Sequence, residues 1–267
     1  IDVGQGTANL LQLPGGYTVL VDGGGFSDNS LFDVGERILA PLLWCRKIKQ
    51  VDLVVLSHPN SDHLNGLLYI VEHFNVAEVW SNHEPAPTKG YGRWIELLAA
   101  KEVRHTGFDQ LPRQTTRSGV QLEILAPVRG FQRRLAMDGG RDLNNNSIVL
   151  RISYGDVSFL FTGDILASAE SDLVARVGDK RLCSTVLMVP HHGSRTSSSK
   201  VFLDAVSPAE AVISAGWQNR FKFPHGEVVQ RLKAGGCHIW CTAESGAVEV
   251  ITDGKAYTIG TFRPHTP

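Results

Sequence analysis

The chain reads as an α/β protein of two mixed β-sheets with helices on the outside. Three observations predict this. Segments of strand and helix periodicity alternate along most of the 267 residues. Both halves carry hairpin signals, so antiparallel and parallel pairs should coexist. Four apolar runs end in polar residues of metal-ligand type, the pattern of strands whose ends converge on one edge of a layered fold.

The elements follow in order. Ala8–Leu13 and Tyr17–Asp22 are expected to pair as a hairpin turned at Pro14-Gly15-Gly16. Val34–Leu43 carries Ile38, Leu39, Leu42 and Leu43 at helical spacing, and the apolar run Val51–Leu56 is a buried strand. Leu64–His73 and Tyr91–Lys101 are predicted helices, with Glu78–Ser81 a strand between them. Val120–Ala126 alternates as a strand, and an Arg- and Gly-rich loop, Val128–Leu143, follows. Ser147–Ser153 and Val157–Thr162 form a second hairpin turned at Gly155-Asp156. Helices are expected at Ala167–Arg176, Lys200–Val206 and Glu227–Ala234. Strands are expected at Val186–Val189, Ala211–Ser214, His238–Thr242 and Ala247–Thr252.

Composition is that of an ordinary folded chain, 42% hydrophobic and 20% charged. No strong linker interrupts it, so residues 1–267 are read as one domain. A formal net charge of -1 excludes a global pull on polyanions; any such pull must be local. No apolar run approaches the roughly 20 residues that span a bilayer. The chain opens inside an apparent strand, IDVGQG, with no Met and no signal peptide. The expectation is a fragment of a longer protein. Cys45, Cys183, Cys237 and Cys241 lack zinc-ribbon spacing, and Cys237 and Cys241 lie too far apart along one strand to bridge well. Buried small hydrophobes are the expected role.

The chemistry concentrates in LSHPNSDH (His58, Asn60, Asp62, His63), with VLVDGG (Asp22), FLFTGD (Asp164) and VPHHGS (His191, His192). Imidazole nitrogen and carboxylate oxygen both suit Zn²⁺ and similar ions. Each segment alone is weak, because an Asp after a strand is usually a turn or cap residue. Four such strand ends in one chain point to a metal pocket.

DVGQG, LSHPNSDH, NNNS, FTGD and VPHHGS, in that order, resemble the metallo-β-lactamase fold, and most closely the C-terminal domain of the ComEC competence family. The resemblance runs from Ile1 to about Ile251. It implies an αββα sandwich with the metal site at one edge of the paired sheets. It also implies one site from Asp62, His63 and His191 with Asp164 as a bridge, and a second from His58, position 60, a third histidine and Asp164. The HH pair leaves open which of His191 and His192 is the ligand. Position 60 is Asn60, and the segment ahead of FTGD is NNNS (Asn144–Ser147), so amides replace two imidazoles on the second site. Amide oxygen suits hard cations better than zinc. The expectation is one secure ion, Zn or Mn, and a second weak one, Mn or Mg, with Asn145 and Asn146 as weak ligands.

Asp22 is expected behind a ligating histidine, fixing its tautomer. Asp62, His192 and His225 are the catalytic candidates, and Gln5, Ser194, Arg195 and Asn219 the substrate-binding ones. Thr7 stands where relatives usually carry Asp. Arg113, Arg117, Arg129, Arg133, Arg134 and Arg141, a second basic cluster (Lys180, Arg181, Arg195, Lys200, Arg220, Lys222) and Phe131, Phe221 and Phe223 give modest support for a nucleic-acid groove.

The resemblance implies a nuclease that degrades the non-transforming DNA strand during competence. Its partners would be single-stranded DNA and the membrane channel part of the same protein, with no small organic cofactor. It would be a domain of an inner-membrane protein, on the outer face of that membrane. Two rivals stand beside it: a hydrolase of another ester (phosphorylcholine ester, lactone or thioester), and a degenerate DNA-binding domain without activity.

Overall fold

A computed structural model describes residues 1–127 and 143–263. Arg129, Phe131, Arg133, Arg134, Asp138 and Arg141 of the predicted basic loop lie outside the described residues.

The first sheet contains, side by side, β1 (Ala8–Gln12), β2 (Thr18–Gly23), β3 (Gln50–Leu56), β4 (Asn75–Ser81) and β5 (Arg104–Gly107). β1 is antiparallel to β2, and β2 to β5 are parallel. The second contains β6 (Gln114–Arg117), β7 (Val120–Ala126), β8 (Val149–Tyr154), β9 (Val157–Phe161), β10 (Val186–Met188), β11 (Glu210–Ile213) and β12 (His238–Cys241), also in that order across the sheet. It is antiparallel from β6 to β9 and parallel from β9 to β12. Both sheets are mixed, as predicted. A separate hairpin joins β13 (Val248–Thr252) to β14 (Tyr257–Thr261).

The alternation of side chains along the strands sorts the core into three layers. Val19, Val21, Leu53 and Val55 face Leu122, Ile124, Leu150 and Ile152 between the sheets. Their neighbours Leu20 and Val54 face the other way, onto α1 (Ala40–Cys45), α2 (Ser61–His73) and α3 (Lys89–Ala100) through Leu43, Leu64, Leu67 and Trp94. Across the molecule, Leu160, Leu187 and Ala211 pack on α4 (Ala167–Val177), α6 (Lys200–Val206) and α7 (Gly226–Ala234) through Leu173, Phe202 and Val228. Two short helices, α5 (Asp179–Leu182) and α8 (Thr242–Ser245), lie between the longer elements of this half. Strands buried on both faces explain why Val51–Leu56 reads as a continuous apolar run. Each fully buried Val or Leu contributes about 1.5–3 kcal/mol.

The predicted helix at Val34–Leu43 starts instead as a wide π turn, Gly35–Leu39, before α1. The Ala40 N–H reaches back to the Gly35 carbonyl, and Pro41 has no N–H to close a normal turn. A side chain at Gly35 would collide with the Gly66 carbonyl, so glycine lets this turn rest on α2. β5, β6, β14, α5 and α8 were not predicted. RHTG and QTTR are mostly polar, and β14 buries no residue fully, so none carries a strong apolar alternation.

Candidate metal centre

Four chain segments meet where the ends of β2 and β3 come against the loops after β9 and β10. Asp22 closes β2, His58 follows β3, and Asp62 and His63 lie in the first turn of α2. An acidic residue there also suits the positive end of the helix. Asp164 follows β9, and His192 sits in the turn after β10.

Asp62, His63, Asp164 and His192 each present a ligand atom, and these atoms all lie within 4.8 Å of one another. His63 Nε2 is 3.1 Å from Asp164 Oδ1. His192 Nε2 is 3.3 Å from Asp62 Oδ2 and 3.4 Å from Asp164 Oδ2. An ion with ligand bonds of about 2.0–2.2 Å in tetrahedral geometry spaces its ligands about 3.3–3.6 Å apart. The cluster already stands near that spacing.

Hydrogen bonds fix which nitrogen of each ring faces the cluster. Asp22 Oδ2 lies 2.8 Å from His63 Nδ1, and the same carboxylate accepts from the Ser57 N–H (2.7 Å) and Ser57 Oγ (2.8 Å). Asp22 holds this position in the left-handed region, φ 59°, a conformation costly for a residue with a side chain. His192 Nδ1 donates to the Ser214 carbonyl at 2.9 Å. His58 Nδ1 faces the hydroxyls of Ser57 (3.0 Å) and Ser147 (3.3 Å). With each Nδ1 engaged, the Nε2 atoms of His58, His63 and His192 are buried and make no hydrogen bond of acceptable geometry. Buried nitrogens without partners are costly unless a ligand takes them. The donors are nitrogen and oxygen, so the residues fit a divalent ion of the Zn or Mn type.

Charge points the same way. Burial alone would lower the His63 and His192 pKa values, but facing carboxylates outweigh it. Asp164 and Asp22 raise His63 well above its usual value, and Asp164 and Asp62 push His192 up to about 10. Burial would raise Asp62, yet the facing His192 ring and the charge of His63 hold it at about 2. His63 and His192 likewise keep Asp164 well below the carboxylate range despite its burial. Buried carboxylates of this kind require positive charge, from protons or from a metal ion. His58 differs: burial, then the neighbouring His63, push it down to about 4.

The other side of the pocket is closed by amides. His58 Nε2 is 4.0 Å from Asp164 Oδ2, outside the quartet. Asn60 Nδ2 donates to Asn144 Oδ1 at 2.7 Å, so the two amides are bonded to each other. Asn145 accepts from the Leu166 N–H (2.9 Å) and donates to Ser168 Oγ (3.2 Å), holding the entry to α4. Asn146 donates to buried Glu84, while its Oδ1 is buried without a partner.

The remaining candidates fall around this centre. The cluster contains His192 where the implied ligand set has His191. Consecutive left-handed residues, φ 51° and 55°, turn the chain so that the second ring goes inward. The His191 ring stays half-buried with Nδ1 3.2 Å from Thr196 Oγ1. His225 caps α7 and accepts the Arg195 N–H at Nδ1 (3.1 Å); it is outside the quartet. Ser194 Oγ bonds Thr196 Oγ1, and the exposed Arg195 faces Glu227 at 3.9 Å. The Asn219 amide holds its own loop through bonds to Gly216 and Phe223. The Gln5 amide is buried without a partner, and Thr7 bonds the Asp62 carbonyl through its N–H (3.0 Å). Ser57 and Ser147 lie inside the LSHPNSDH and NNNS segments, but nothing in those letters assigns the serines a role; the structure gives them one behind Asp22, His58 and Asp164.

The fold and this cluster define a metal-dependent hydrolase class. The chain belongs to the metallo-β-lactamase superfamily, whose family model matches residues 1–217. Within that class it is similar to competence proteins. It is 28% identical over 280 residues to the ComE operon protein 3 of Bacillus subtilis, covering 99% of this chain and 34% of that protein. It is 31% identical over 249 residues to the competence protein ComA of Neisseria gonorrhoeae, covering 93% and 31%. The chain thus spans about a third of the length of these relatives. A metallo hydrolase from Ignicoccus hospitalis shares the fold, with a TM-score of 0.56, 14% identity and 97% of each chain covered. No helix among the described residues is long and apolar enough to cross a membrane.

Proposed function

We propose that the chain is a metal-dependent phosphodiesterase acting on DNA, the nuclease domain of a competence protein that removes the non-transforming strand. The observation that carries the metal-dependent part is the set of buried, unpartnered Nε2 atoms gathered round Asp164. Similarity to competence proteins supports DNA as the substrate. On this reading the domain belongs to an inner-membrane protein, lies on the outer face, and works beside the channel part of the same protein.

Asp62, His63, Asp164 and His192 would hold the ion, which supplies an activated water and offsets phosphate charge. Asp22 keeps the His63 proton on Nδ1, so Nε2 is available as a ligand. Gln5 offers an amide for a phosphate oxygen. His192, as a ligand, cannot also assist the leaving oxygen, so that task moves to His225. The Arg195 N–H at Nδ1 places the His225 ring proton on Nε2, the form that can donate a hydrogen bond to the leaving oxygen, whose proton then comes from solvent water.

The test is cleavage of a single-stranded oligonucleotide with added Mn²⁺ by the wild type, Asp62→Ala and His63→Ala. Loss of cleavage in both variants is expected; undiminished cleavage would remove the assignment. The Asn60–Asn144 bond favours a second reading, a DNA-guiding domain without activity. Stable protein that binds single strands but never cuts them, with any divalent ion, would select it.

A further inference from the structure

The loop between β11 and α7 carries an aromatic ladder that starts at the metal cluster. Phe223 stacks on His192 with ring centroids 6.1 Å apart and planes 26° apart. Phe221 stacks on Phe223 at 5.4 Å and 16°. The Arg220 guanidinium lies 4.7 Å from the centre of the Phe221 ring. Trp217, in the same loop, is 71% exposed, and Phe221 is 43% exposed.

The ladder is held in place. Asn219 Nδ2 donates to the carbonyls of Gly216 (2.8 Å) and Phe223 (2.7 Å), and its Oδ1 accepts the Phe223 N–H (2.9 Å). Gly216 packs directly on the backbone of Gln5, whose amide is buried and unpartnered. The loop thus joins an exposed aromatic surface to a metal-cluster histidine and packs against a buried, unpartnered amide. Aromatic residues exposed together in this way mark binding surfaces.

We propose that Trp217, Arg220, Phe221 and Phe223 form a stacking platform that seats an unpaired nucleobase beside the metal cluster and selects single-stranded nucleic acid. The inference rests on the phosphodiesterase reading, which makes a polynucleotide the substrate. A stacking surface accepts any base because every base has a π face. In a duplex those faces are covered by neighbouring pairs, so a paired strand cannot use the platform. Arg220 and Lys222 put positive charge beside the rings, where the flanking phosphates would run. Arg220 also extends the stack through its planar guanidinium.

The experiment is fluorescence anisotropy in EDTA, so that no strand is cut, with a labelled 12-nucleotide oligothymidylate and an abasic strand of equal length. Phe221→Ala and Trp217→Ala should each weaken oligothymidylate binding about tenfold while leaving abasic binding unchanged. Phe221→Tyr, which keeps the ring, should retain the affinity. Equal losses on both strands would assign the effect to phosphate charge and overturn the proposal. So would unchanged affinity in both alanine variants. Dodecylphosphocholine binding lost in Phe221→Ala, with oligothymidylate unaffected, would assign the platform to a lipid and overturn it as well. Hydrolysis of bis-p-nitrophenyl phosphate by Mn²⁺-loaded wild type tests the phosphodiesterase reading separately, since that ester carries no base.

Discussion

The two sides of the pocket contain similar polar residues and differ in what those residues bond to. On one side, Asp62, His63, Asp164 and His192 direct ligand atoms at one another, and both ring Nε2 atoms are left without hydrogen bonds. On the other, Asn60 and Asn144 have closed on each other at 2.7 Å, and His58 stands 4.0 Å from Asp164. Polar atoms that satisfy one another have no need of an ion; buried atoms held apart by their outer partners do. Ligand geometry is therefore set by the groups behind the ligands. Asp22 and the Ser214 carbonyl hold the first side open, while on the second side the Asn60 and Asn144 amides are bonded to each other.

The largest effect that can break this contrast is loss of Asp164, the carboxylate facing all three rings. Asp164→Asn should lower metal-dependent cleavage at least ~100-fold, measured as kcat on an oligonucleotide, because a ligand and the compensating charge go together. Removing a partner behind a ligand should cost less. Asp22→Asn is expected to weaken the tight ion by about 10- to 100-fold, read by competition with a metal indicator. The opposite change sharpens the contrast: Asn60→His breaks the amide pair and restores an imidazole. It should tighten the second ion by about tenfold and leave the first unchanged, measured by titration calorimetry.

The smallest expected effect lies away from the centre. His105 is pushed down to about 4, first by burial and then by His83. An unfolded chain holds that proton below about pH 6.5. Between these values the unfolded state binds a proton that the folded state does not. The His105 contribution is therefore complete above pH 6.5 and is lost as pH falls through 4. His105→Asn should flatten the fall in the urea midpoint between pH 7 and pH 5.

Much of this arrangement is legible in the sequence. The apolar run Val51–Leu56 predicts β3, and LSHPNSDH after it places Asp62 and His63 at a helix start. Strand edges were not legible: β5 and β6 are short and polar, so no alternation marks them. Two consecutive left-handed residues decide that His192 enters the cluster, and nothing in the letters HH distinguishes one ring from the next. Asn60 was legible as a poor ligand. Its bond to Asn144 joins residues 84 positions apart, which local sequence cannot show.

Metal stoichiometry distinguishes an asymmetric centre from a symmetric one. Purified protein is titrated with Mn²⁺, and bound metal per chain is counted by elemental analysis after dialysis. One ion should remain per chain, with a second binding only while free Mn²⁺ is in excess. Two ions retained with equal tightness, or none retained at all, would rule out an asymmetric centre.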